Sequence, residues 1–339
     1  MNQKVKFGLG IATGTEGLMY PIPYASVRDV VDISIEAEKL GFDSVWGNDH
    51  ITTQQYVYDE FGQQPRYYAP LITLAAIAEH TTTLKLATAL LVIPFRQPAI
   101  IAKELSTLDH LSNGRVLVGV GLGAYREEFE CEFGEKAHQM VRGKMLDESI
   151  EMVTRIFNEE KVSQKGQYFE IQNIQCNPKP IQKPFPFYFG GNSEKGLDRT
   201  VKYGRGWLPF DLTTEEIAAG VAKLKAKCQE AGRPYDIDIA PQLCISIGKT
   251  HEEACRKFEN AQIYRHTISL EQSTLKGKKA SDYTQRNLIG SPDELIERIE
   301  AYREAGVTTF SAMIFANNTI EETREDMQFF SESVMKYYR

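Results

Sequence analysis

The sequence predicts a single α/β domain spanning residues 1–339 and built as a (β/α)8 TIM barrel, on three observations. Apolar runs of strand length alternate with helical stretches along the whole chain. Eight such strand–helix units fit in 339 residues, and no shift in composition marks a second domain. The stretch after the first strand, GLGIATGTEG, lacks the G-x-G-x-x-G turn running straight into a helix that an open dinucleotide-binding sheet requires.

The first strand is VKFGLGI (5–11), an apolar run that ends near Gly14. Residues 27–41 follow as a helix, with Val27, Val30, Val31, Ile35 and Leu40 near helical spacing and Gly41 as the stop. Residues 42–50 (FDSVWGNDH) are the second strand and 69–81 the next helix. LKLATALLVIP (84–94) is almost continuously apolar, as a strand buried on both faces should be. A helix over 98–112, a strand over 114–123 and a helix over 142–158 complete the fourth unit. Residues 159–185 read as a polar, irregular insertion; NPKPIQKPFP carries four prolines in ten residues and excludes a helix. Strands at 186–190, 206–210 and 237–248 alternate with helices at 193–203 and 214–231. A long helical and polar region covers 250–304, of which 250–290 is a second insertion at the mouth. The last strand is 308–315 and the last helix 319–337.

Composition narrows the function. A net charge of −7 argues against nucleic acid or an anionic membrane as partner. No apolar run approaches the roughly 18 residues of a membrane span, and MNQKVKFGLG enters a strand with no signal peptide in view. The five cysteines (131, 176, 228, 244, 255) have no CxxC spacing, so reduced thiols in a cytoplasmic protein are expected, with no metal site.

Barrel chemistry sits at the C-terminal strand ends. There YFGGNSEKG (188–196) runs from a strand through Gly190 and Gly191 into a helix capped by Ser193, with Asn192 beside it. A helix N-terminus behind bare glycines is an anion site; the same pattern also serves as a plain capped turn. WGNDH (46–50) sets Asp49 and His50 side by side at the second strand's end, where His suits proton exchange near neutral pH. GVGLG (119–123) has three alternating glycines, which either admit a flat ligand or relieve barrel packing. Arg96, between two prolines in PFRQP, suits a carboxylate or a phosphate, or simply faces solvent. The acidic run REEFECE (126–132) reads as a solvated face.

FDSVWGNDH, LATALLVIPFRQPAIIAKELSTLDHLSNGRVLVGVGLG and PFYFGGNSEKGLDRTVKYGRGW, in that order, resemble the luciferase-like family of FMN- and coenzyme F420-dependent oxidoreductases, as does the C-terminal GSPDELIERIEAYREAGVTTFSAMI. The resemblance implies a luciferase-like barrel, usually dimeric, holding reduced FMN or F420 at its C-terminal mouth. It places the cofactor phosphate on Gly190, Gly191, Asn192 and Ser193. It places the ring edge near Asp49, His50, Thr88 and the Gly121–Gly123 turn, backed by a non-proline cis bond at Ala89–Leu90. His50 or Asp49 is then the acid/base. The glutamate that F420-dependent sugar-phosphate dehydrogenases carry just after the GxG turn is replaced by Ala124, which argues against sugar-phosphate oxidation.

Two activities follow from the resemblance: a monooxygenase using reduced FMN and oxygen, fed by a flavin reductase, or an F420-dependent hydride-transfer enzyme. A flavin-binding barrel without catalysis is the third reading. F420's polyanionic tail would need cations such as Arg96 and Lys195, and no dense basic channel is visible, which favours FMN. Residues 51–68, with four tyrosines, and 262–288, with Lys276, Lys278 and Lys279, are expected to frame a small-molecule pocket.

Overall fold

A computed structural model describes residues 4–270 and 282–339; Lys276, Lys278 and Lys279 lie outside them. Ten strands form one curled sheet: β1 (Lys6–Ile11), β2 (Ser44–Gly47), β3 (Lys85–Val92), β4 (Val116–Gly121), β7 (Phe187–Gly190), β8 (Gly206–Leu208), β9 (Asp238–Ile239), β10 (Gln242–Ile247), β11 (Leu288–Gly290) and β12 (Thr309–Phe315). The order is β11-β10-β12-β1-β2-β3-β4-β7-β8-β9, with every pairing parallel. β9 and β10 stand near opposite ends of that order, yet only Ala240 and Pro241 separate them in sequence. Ala240 N–H bonds to Trp207 on one side, and Ser311 N–H to Pro241 on the other. The fold is TIM-barrel-like, with helices wrapped outside.

Alternation explains the two layers of core. In β4, Val116, Val118 and Val120 face the helices and join the large outer cluster, while Leu117 points inward with Trp46, Ala87 and Tyr188. Each fully buried aliphatic side chain of this kind contributes roughly 1.5–3 kcal/mol. β3 breaks the alternation: Ala89 and Leu90 both face inward, at a register shift between Thr88 and Leu91, and their peptide bond is cis. The helices carry the expected ends. The first, α1 (Val27–Leu40), starts at a Ser26–Asp29 capping box and stops at Gly41, φ +84°.

The structure departs from the sequence reading in four places. The segment 159–185 holds an antiparallel hairpin, β5 (Val162–Lys165) with β6 (Glu170–Ile174), tied to Glu148 by the N–H groups of Gln167, Tyr168 and Phe169. The expected strand at 237–248 is divided at Pro241, whose missing N–H interrupts the ladder. Within 250–304 the short strand β11 pairs with β10, between runs of helix. The second strand is also shorter than read, because residues 48–50 leave the sheet to form a loop. Among the described residues, no helix is long and apolar enough to cross a membrane.

Candidate active site

Because the sheet is parallel, the loops after β2, β3, β4 and β7 all leave its C-terminal edge. The loop after β2 is pinned first. Asn48 brackets Gly14, its side-chain carbonyl accepting from Gly14 N–H and its amide donating to Gly14 C=O, both at 3.0 Å. Thr13 Oγ1 donates to Asn48 C=O at 2.7 Å.

Asp49 and His50, adjacent in sequence, separate in role. Asp49 is buried, at 4% exposure. Its carboxylate accepts from Val92 N–H at 2.9 Å and from both terminal nitrogens of Arg96, at 2.6 and 3.0 Å. Arg96 also donates to Val92 C=O. This bidentate pair joins the ends of β2 and β3. It corrects one sequence expectation: Arg96 is held by an internal carboxylate and does not stand free for a ligand's anion, while Asp49 is engaged by Arg96 and by Val92 N–H.

His50 points instead at α5 (Arg126–Phe133). Its Nδ1 lies 3.1 and 3.2 Å from the two carboxylate oxygens of Glu128, which also accepts from Ile51 N–H at 3.0 Å. Glu128 is fully buried, so the reading of 126–132 as a solvated face fails at its centre. Gln54 Nε2 stands 3.3 Å from the same ring nitrogen, but the charge-assisted contact to Glu128 is the stronger. A proton on Nδ1 donated to Glu128 leaves Nε2 with its lone pair available.

Aromatic rings wall this pair. Tyr67 and Tyr125 lie 5.5 and 5.7 Å from the His50 ring. Tyr67 donates to Gln54 Oε1 at 2.8 Å, and Tyr56 links Tyr125 to His266 at 3.1 Å each way. Burial, with a smaller contribution from His50, pushes the His266 imidazole down to about 4, so it is neutral near pH 7. Residues 51–68 and the helix 262–270 therefore meet over the His50 side of the edge.

The other site residues sit on the neighbouring strands. Thr88 Oγ1 donates to Gly119 C=O at 2.8 Å, tying β3 to β4. Leu90 fills the space that bare glycines leave: a Cβ at Gly121 or Gly190 would approach its side chain to 2.6 or 2.5 Å. Gly121 thus leaves the space that seats Leu90. Gly123, at φ +81°, turns the chain toward α5, and its carbonyl accepts from Arg142 at 2.7 Å.

After β7 the chain turns through Gly191, φ +104°, where a Cβ would meet nothing within 4 Å. Residues 191–195 are exposed. Trp207 Nε1 donates to Gly191 C=O at 3.0 Å and fixes the turn. The Asn192 side chain pairs with both Phe210 backbone groups and so braces the loop. Ser193 caps α7 (Glu194–Tyr203), accepting from Gly196 N–H at 3.3 Å. The first-turn N–H groups of a helix have no intrahelical acceptor. Glu194 would oppose an anion here, but Lys223 and Lys227 pair with it at 2.6 and 3.3 Å.

Inside the rim, a cleft of only about 30 Å³ lined by Gly10, Trp46, Asn48, Ala89, Gln242 and Ala312 closes the axis. That cleft is too small for a flat tricyclic ligand to enter the sheet. Roomier hollows of about 370 and 670 Å³ open at the N-terminal strand ends, beside Lys6, Asp43 and Asp238, away from these residues.

A model of the family described as luciferase-like monooxygenase matches residues 5–309. An F420-dependent glucose-6-phosphate dehydrogenase of Amycolatopsis mediterranei is 27% identical over 331 residues, covering 92% of this chain and 95% of that one. An FMNH2-dependent dimethylsulfone monooxygenase of Pseudomonas fluorescens is 26% identical, covering 78% of this chain and 76% of that one. The solved structure of the monooxygenase RslO1 from Streptomyces bottropensis superposes with a TM-score of 0.80 at 22% identity, covering 98% and 100% of the two chains.

Proposed function

The chain belongs to the luciferase-like monooxygenase family, a family of enzymes, and on that premise we propose that it is a monooxygenase using reduced FMN and oxygen on a small organic substrate. The observation that carries this reading is the exposed turn Gly190–Ser193 on the same sheet edge as His50. Its residues fit a phosphate: Gly191 at a positive φ with open space where a Cβ would stand, a serine hydroxyl, and a helix N-terminus directly behind. Gly190, Gly191, Asn192 and Ser193 would hold the phosphate through their main chain and the Ser193 hydroxyl. Thr88, Ala89 and Leu90 form the ledge beneath a ring, beside Gly121 and Gly123. A bound reduced flavin would supply the electrons and the site of oxygen activation.

The chain's own groups do the rest. His50 Nε2 moves the proton, and Glu128 holds the imidazole in the tautomer that leaves Nε2 free. Tyr67 and Tyr125, beside the His50 ring, would limit the water that reaches it. Support for the closed eight-stranded barrel comes from residues 238–247, which bond to β8 on one side and β12 on the other. A cytoplasmic homodimer fed by a flavin reductase completes the proposal. Ile72 and Ile100, 74% and 57% exposed on the packed helices at 70–80 and 98–111, suit a subunit contact.

F420-dependent hydride transfer is the second reading, favoured by the full-length relative at 27% identity. Arg96, committed to Asp49, is not available to F420's anionic tail, while Lys195 is exposed. Oxygen uptake separates the two. Protein supplied with reduced FMN and candidate substrates is expected to consume oxygen in proportion to product. Tight F420 binding with no substrate-linked oxygen uptake would remove the monooxygenase reading.

A further inference from the structure

Outside this site, three side chains form a second chemical arrangement. His251 and Cys255 lie one turn apart on α9 (His251–Asn260), with His251 Nε2 at 3.4 Å from Cys255 Sγ. The other ring nitrogen, Nδ1, is 3.1 Å from Glu294 Oε1, in the first turn of α12 (Pro292–Glu304). Glu294 is itself fixed, because its second oxygen accepts from Ser291 N–H at 2.7 Å and from Ser291 Oγ at 2.9 Å. Those bonds from Ser291, with a smaller contribution from His251, hold its carboxyl below the usual range. Tyr283 also neighbours Cys255; its hydroxyl donates to Glu259 at 2.7 Å and is pushed up by burial and by Glu259 and Cys255. Cys255 is half-buried, and the imidazole is 48% exposed, so a small solute reaches both.

The order thiol, imidazole, carboxylate is that of an activated nucleophile whose base is oriented by a third group. Cys131, by contrast, is exposed within an acidic run, and among the described residues no histidine hydrogen-bonds to it. We propose that Cys255 is a peroxide-reactive thiol, activated by His251, with Glu294 holding the ring. Sγ attacks one oxygen of hydrogen peroxide. The S–O bond forms as the O–O bond breaks, and the thiol proton passes through His251 Nε2 to the departing oxygen, which leaves as water. Cysteine is oxidised to sulfenic acid and the peroxide is reduced. The inference stands independently of the proposed function.

The test treats the full-length protein with hydrogen peroxide in the presence of dimedone and follows labelling at each cysteine by peptide mass spectrometry. A small cysteine amide measured alongside is the reference. Cys255 is expected to react about tenfold or more faster than the reference. H251Q, at an exposed position, should bring it to the reference rate or below, and E294Q, which keeps an acceptor for Ser291, should slow it. Circular dichroism confirms that both variants fold. A wild-type rate no greater than the reference, or a rate unchanged in H251Q, would overturn the proposal.

Discussion

His50→Gln is expected to lower kcat by about 10²- to 10⁴-fold, roughly 3–5 kcal/mol of barrier, while cofactor affinity stays near the wild-type value. Glutamine is the better probe. Alanine would leave the fully buried Glu128 without its ring partner, and an unsatisfied buried carboxylate costs stability by itself. Glutamine keeps a donor for Glu128 and removes only the nitrogen that can take and return a proton. The two quantities are measured separately: turnover by steady-state kinetics, affinity by fluorescence titration of the bound cofactor. Unchanged turnover clears His50 of the proton transfer. Equal loss of turnover and binding would make it a cofactor contact instead.

Asp49→Asn is expected to act on the fold before the chemistry. The guanidinium of Arg96, 22% exposed, would lose a carboxylate that is 3% exposed. Breaking such a pair from one side costs about 3 kcal/mol, because the remaining charge is left buried. Urea denaturation reads this as a lower midpoint with an unchanged slope. Replacing both residues, Asp49→Asn with Arg96→Met, should recover part of the loss, since neither charge is then stranded. A stable, fully folded Asp49→Asn protein that has lost turnover would instead make Asp49 the acid/base, the role the sequence left open between it and its neighbour.

How much was legible follows from the range of each interaction. Strand order rests on local alternation and loop punctuation, so the parallel sheet could be read from apolar runs and turn residues. The 190–193 turn was legible for the same reason: Gly-Gly-Asn-Ser ahead of an amphipathic helix is a local signal. The Asp49–Arg96 pair spans 47 positions and exists only because β2 and β3 are in register. Glu128 reaches His50 across 78 positions. Its burial was masked by charged neighbours, and Phe129 and Phe133, packed on Phe95, were the sole sequence hint that α5 docks inward. At Leu90, the glycines could be seen, but the side chain that fills their space comes from another strand.

The central claim is that main-chain amides at 190–193, together with the Ser193 hydroxyl, grip a cofactor phosphate. Its most direct measurement compares cofactors with and without that phosphate: FMN against riboflavin, and F420 against its phosphate-free deazaflavin core, titrated into wild-type protein and Ser193→Ala. At least one phosphate-bearing cofactor is expected to bind far more tightly than its truncated partner. Ser193→Ala should weaken only that cofactor, by about 10- to 100-fold, as befits a lost hydrogen bond to a charged group, with a cap cost of about 1 kcal/mol to the apoprotein. Equal affinity for both members of each pair, or no response to Ser193→Ala, would contradict the claim.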